Sequence, residues 1–114
     1  MSNDPRTILN EGIKNLYAEN RDTMKGYTGF TAAVYKEGAL SVKHKELIAI
    51  AIGAYSRCDY CIVSHIYKAM KAGTTDEEIM EAAFVSTAFG GGASVAYTST
   101  LVRDSVKEFR KDFQ

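Results

Sequence analysis

The chain has 114 residues, 46% of them apolar and 25% charged, with fourteen basic residues balancing fourteen acidic ones. Such a length fits a single domain, 1–114, that buries roughly two thirds of its unfolded surface. The balanced charge argues against nucleic acid as a partner and against a polybasic membrane patch. The start "MSNDPRTILNEG" has no basic segment followed by an apolar run, so no signal peptide is expected, and no later stretch reads as long enough to span a bilayer. A cytoplasmic location is expected, where two cysteines three apart point to catalysis or metal binding rather than to a structural staple.

In chain order the pattern is helical throughout. Asp4–Pro5 is a helix-start signal, and Leu9, Ile13, Leu16 and Tyr17 follow at helical spacing until the pattern fades at Gly26. A short helix is expected from about Phe30 to Glu37, stopped by Gly38. Ser41 caps a third, "VKHKELIAIAIGAY", whose second half is apolar on nearly every side and therefore calls for burial, in part by another subunit. "CDYCIVSHIYKAMKAG" reads as a fourth, with Gly73 at the left-handed position beyond its end. Thr75 and Glu78 form a capping box for a fifth, "DEEIMEAAFVSTAF". After "GGG", Val95, Val102, Val106, Phe109 and Phe113 keep a helical period to the end. No run alternates with period two, so the expectation is an all-α domain of about six helices.

The chemistry concentrates in "RCDYCIVSH". At about 100° per residue, Cys58, Cys61 and His65 share an arc of ~60° on one helix face. Cys61 and His65, four apart, are surface neighbours. Both cysteines sit at or near the helix N-terminus, where free N–H groups and the macrodipole favour a thiolate. With a turn near Tyr55–Arg57 the third and fourth helices run antiparallel. Glu46 and His65 then both stand roughly 12–14 Å from the bend, and Glu46 can hold the imidazole in one tautomer. That is a carboxylate–histidine–thiol relay, the logic of a catalytic triad with sulfur in place of serine.

Plainer readings stand beside this one. A structural zinc site wants four protein ligands, and the cysteines with His65 supply three, a number sufficient for a catalytic zinc. A purely structural disulfide over so short a loop adds little entropic stabilisation. Glu46 serves equally as one half of an inter-helix salt bridge, and His44 reads as a solvated residue at a helix start. The run "FGGGAS" lacks a P-loop lysine and follows a helix, which favours a tight helix–helix turn over a phosphate cradle. Tyr55, Tyr60, Tyr67 and Tyr97 can line a pocket near the cysteines or belong to the core or an interface.

The stretch "HKELIAIAIGAYSRCDYCIVSH" resembles the signature of the AhpD-like alkylhydroperoxidases within the carboxymuconolactone decarboxylase family. That signature is a glutamate, eleven residues, C-x-x-C, three residues and a histidine, and Glu46, Cys58, Cys61 and His65 match it without a gap. "KAGTTDEEIMEA" and "AFGGGASVAY" resemble the family's next helix and glycine turn, so the similarity runs from about Leu40 to Val102. The resemblance implies an all-helical fold with the motif on a central helical hairpin, assembled as a homotrimer or homohexamer. It implies Cys61 as the peroxidatic thiol, Cys58 as the resolving one, and His65 and Glu46 as proton relays. Tyr60 stands where well-studied relatives often carry a histidine, and the chain reads as a single repeat of the family's unit without extra N-terminal helices. The expected activity is antioxidant: reduction of a hydroperoxide, reset by an external thiol or dithiol, with no metal or organic cofactor. The alternatives are a lactone decarboxylase, which has no need of a CxxC pair, a protein disulfide reductase, and a zinc-binding interaction module.

Overall fold

A computed structural model describes residues 4–114. Asp4 opens α1 (Pro5–Glu19) by accepting the Thr7 N–H at 2.9 Å, with Pro5 in the first turn. The helix ends earlier than its apolar pattern indicates. Asn20 leaves helical geometry (φ −141°, ψ 55°), and the chain restarts at once as α2 (Arg21–Tyr35). One residue serves both ends: the Asn20 N–H bonds Leu16 O at 2.8 Å, and its carbonyl accepts the Met24 N–H at 3.0 Å. Gly26, where the apolar pattern fades, is interior to α2 and makes no break; a mid-helix glycine costs about 1 kcal/mol against alanine, too little to end a helix by itself. The expected short helix from Phe30 to Glu37 is thus the second half of α2.

Ser41 caps α3 (Val42–Ser56) through its Oγ and the His44 N–H at 3.1 Å. α4 (Asp59–Lys71) follows one tight connection later, and Gly73 beyond its end adopts φ 93° as expected. The capping box of α5 (Asp76–Tyr97) is complete, with Glu78 N–H to Thr75 Oγ1 at 3.1 Å and Thr75 N–H to Glu78 Oε1 at 2.9 Å. The glycine run does not end that helix in a loop. Gly91 alone leaves helical geometry (φ 58°, ψ −138°), a conformation open essentially only to glycine, and the helix bends there and continues. A π-helical turn, Thr98–Val102, leads into α6 (Arg103–Arg110) and a final 3₁₀ turn, so the expected last helix is the end of α5 followed by three further segments.

Among the described residues the fold is all-α. The α3–α4 hairpin lies at its centre, as the sequence resemblance implied: Ile50 and Ala54 of α3 and Ile62, Ile66, Ala69 and Met70 of α4 share one core with Ile79 and Ala83 of α5, Val102, and Val106 of α6. Arg6 carries its guanidinium 3.4 Å from the centre of the Tyr67 ring, and Phe109 and Phe113 meet that ring edge-on. These contacts hold α1 and the C-terminal segment against α4. Arg110 closes the far end, with Nε donating to Asp76 Oδ1 at 2.7 Å and a terminal nitrogen to Thr74 O at 3.0 Å.

One expectation changes: the helical stretch Asp76–Phe113, bent at Gly91, is by length and composition apolar enough to cross a membrane. Its inner face packs against the hairpin through Ile79, Ala83, Val102 and Val106. This chain covers α3, apolar nearly all round, on only part of its circumference: Ile48, Ile52 and Tyr55 face outward and line an apolar groove with Val85 and Phe89 of α5.

Candidate functional site

The site is assembled by the turn between α3 and α4. Arg57 takes the left-handed conformation (φ 56°, ψ 43°), and the Cys58 N–H bonds Gly53 O at 3.1 Å, closing α3 while α4 begins. Cys58 is the N-cap of α4, and its Sγ accepts the Cys61 N–H at 3.2 Å. An N-cap side chain normally offers oxygen to that orphan donor; here a sulfur does so, which is the arrangement that favours a thiolate. Cys58 and Cys61 are joined in a disulfide, their Cα atoms 5.2 Å apart, within the usual range.

Gly53 lies where the two helices approach closely. A β-carbon there would meet Cys61 Cβ, Ile62 Cγ1 and the Ile62 nitrogen, each at 3.4 Å. Two turns back along α3 stands Glu46, and one turn along α4 from Cys61 stands His65. The structure brings these together: His65 Nδ1 lies 2.7 Å from Glu46 Oε1. Glu46 is 4% exposed. A carboxylate only accepts, so a neutral imidazole in this contact bears its proton on Nδ1 and keeps the Nε2 lone pair, the form able to take a proton from a thiol. The His65 side chain keeps 19% of its surface in solvent.

The residues singled out by spacing therefore share one place on the hairpin, and three participants had no sequence signal. Tyr35, at the end of α2, stacks on His65 with ring centroids 5.4 Å apart and planes 23° apart. Gly53 and Lys45 complete the list, the latter through contacts described below. Of the four tyrosines considered from sequence, Tyr60 borders a shallow apolar cleft with Cys58, Pro5 and Ile8. Tyr55 faces the apolar groove, Tyr97 packs against the core, and Tyr67 belongs to the Arg6 cluster. His44 is exposed at the start of α3, its Nδ1 2.7 Å from Ser41 Oγ. Among the described residues no group of three or more His, Cys, Asp or Glu side chains is arranged to hold a metal ion.

The sequence and the fold have known counterparts. The sequence profile of the carboxymuconolactone decarboxylase family matches residues 21–104. A carboxymuconolactone decarboxylase family protein from Legionella pneumophila is 30% identical and superposes with a TM-score of 0.86 over 92% of this chain and 93% of its own. A Thermotoga maritima protein of the same family, described as a candidate for a role in the antioxidative response, is 28% identical with a TM-score of 0.78 over 90% of this chain and 87% of its own. An uncharacterised protein of the cox locus of Paracoccus denitrificans is 34% identical over 73 residues, 64% of this chain and 66% of that relative, just under two thirds of its length. The chain belongs to the carboxymuconolactone decarboxylase family, and its helical arrangement is AhpD-like.

Proposed function

We propose that the protein is a thiol-dependent peroxidase of the AhpD-like kind, with antioxidant defence as its role. The observation that carries this reading is a Cys58–Cys61 bridge one helical turn from an imidazole that a buried carboxylate holds. In the reduced protein, His65 Nε2 takes the Cys61 proton and the thiolate attacks the hydroperoxide. The O–O bond breaks, an alcohol leaves with the proton returned by His65, and Cys61 becomes a sulfenic acid. Cys58, whose sulfur the first turn of α4 favours as a thiolate, then passes its proton to His65 Nε2 and attacks Cys61 Sγ; the hydroxyl takes that proton and leaves as water, giving the disulfide. An external thiol or dithiol returns two electrons and resets the pair. The proposed steps draw on no metal or organic cofactor, and a reducing cytoplasm suits a pair that must be recharged. The outward apolar residues of α3 and α5 support assembly as a homotrimer or homohexamer.

A second reading is exchange with a protein disulfide. It draws on Cys58, the cysteine that is both the helix cap and a wall of the apolar cleft beside Ile8 and Tyr60. Lactone decarboxylation, which gives the family its name, leaves the cysteine pair without a use.

The test is the oxidation of reduced protein by an organic hydroperoxide in parallel with a protein-disulfide substrate. Cys58→Ser should still consume one equivalent of hydroperoxide and stop at a trappable sulfenic acid on Cys61. Cys61→Ser should lose at least about a hundredfold in rate. Full peroxide activity in Cys61→Ser would overturn the assignment, and a preference for the protein disulfide would favour the second reading.

A further inference from the structure

The end of α2 reaches the site from a helix that is otherwise loosely attached. Met24 is its only buried residue, while Tyr27, Phe30 and Val34 are exposed. Its C-terminus, by contrast, is fixed. The Lys45 ammonium donates to the carbonyls of Val34 at 2.8 Å and Lys36 at 2.6 Å, groups on either side of Tyr35 at the helix end. Carbonyls there have no intrahelical partner, and a cation beside them is favoured by the helix dipole. Glu37 Oε1 accepts the Val42 N–H at 3.3 Å, tying the same connection to the first turn of α3. Lys45 is the residue before Glu46, so one helix carries both the carboxylate that meets His65 and the ammonium that holds the ring stacked on it.

These contacts divide the control of the imidazole. The 2.7 Å contact with Glu46 selects which nitrogen bears the proton and forbids a ring flip. It leaves the ring free to rock about the Nδ1–Oε1 line. A stacked plane removes that freedom. Resting on the peroxidase reading above, we infer that Tyr35 is a positioning residue for His65: its ring fixes the imidazole plane in the orientation where Nε2 can take the Cys61 proton, and Lys45 holds Tyr35 in register. The tyrosine acts through its ring, not as a base. Burial first, then the nearby Glu46 and Tyr27 charges, raise its hydroxyl above the ordinary 10.0, so it stays protonated wherever the thiol is at work.

The experiment uses reduced full-length protein carrying Cys58→Ser, which isolates Cys61 and leaves a good N-cap in place. Two readouts are taken: the 15N resonances of the His65 ring, which report its tautomer, and the rate of Cys61 alkylation by iodoacetamide, which needs no peroxide. Tyr35→Leu should slow alkylation about two- to tenfold, the factor an aromatic pair is worth, and blur the single Nδ1–H signature. Tyr35→Phe should restore both readouts, and Lys45→Met should move them in the direction of Tyr35→Leu. The inference is overturned if Tyr35→Leu matches the parent in both, or if Tyr35→Phe falls as far as Tyr35→Leu. If all the proteins fail with hydroperoxide while the alkylation pattern holds, the peroxidase reading falls and the role of Tyr35 stands.

Discussion

A carboxylate as buried as Glu46 is costly to desolvate unless its charge is met, and His65 is the partner at hydrogen-bond distance. Glu46→Gln is the sharpest change at this scale, because it keeps the shape and an acceptor oxygen while removing the charge that stabilises an imidazolium. A hydrogen bond to a charged group exceeds a neutral one by about 1–1.5 kcal/mol, so peroxide oxidation of Cys61 should slow about tenfold. Stopped-flow kinetics of the reduced variant will measure it, and an unchanged rate would reduce Glu46 to a structural ion pair. Cys58, Cys61 and His65 were legible in the sequence because one helix imposes their spacing. Glu46 was legible because a short turn makes two helices share a depth scale. Tyr35 was not, since its approach depends on where α2 ends and on a lysine reaching back from α3, neither of which a helical period encodes. Gly53 was invisible for a different reason: the sequence does not state how close two helices come.

At the scale of elements, side-chain caps were readable and backbone breaks were not. Asp4, Ser41 and Thr75 each cap the helix they were expected to start, because a short polar side chain before an apolar periodic run has one good use. Asn20 ends a helix without disturbing the apolar pattern on either side of it, and Gly26 is too weak a breaker to interrupt α2. The capping box makes a pH-dependent prediction. Glu78 is held below the ordinary 4.5, first by the Thr75 N–H and next by the Lys43 ammonium at 3.0 Å. A lowered folded-state value stabilises the protein above pH 4.5, and that contribution disappears as pH falls through the folded value. The thermal midpoint of wild type should therefore exceed that of Glu78→Gln by a constant margin near neutrality. The two should converge in acid; a margin independent of pH would mean the charge is irrelevant to the start of α5.

At the scale of the molecule, the chain by itself looks unfinished. Its radius of gyration is 14.3 Å, against roughly 13 Å for a compact domain of this length. Phe89 is 81% exposed and Ile52 60%, on adjoining walls of one apolar groove. The apolar circumference of α3 was plain in the sequence, but which arc this chain covers and which it leaves open depends on the path of α5, bent at Gly91. If that arc is an interface between copies, Ile52→Glu should shift the mass measured by sedimentation to that of the single chain. It should also abolish any rise of the thermal midpoint with protein concentration. A wild-type protein that sediments as a monomer would refute the assembly outright.

The sulfur at the cap of α4 has one more consequence. Reduction replaces a neutral bridge atom with a thiol at the positive end of a helix, where its thiolate form is favoured by about 0.3–1 kcal/mol. Whatever favours the dithiol form raises the couple's potential by the same free energy, here on the order of 10–20 mV. The first turn of α4 thus makes the oxidised pair a slightly more eager acceptor than it would be away from a helix start. A donor recharging this protein is assisted by a helix start.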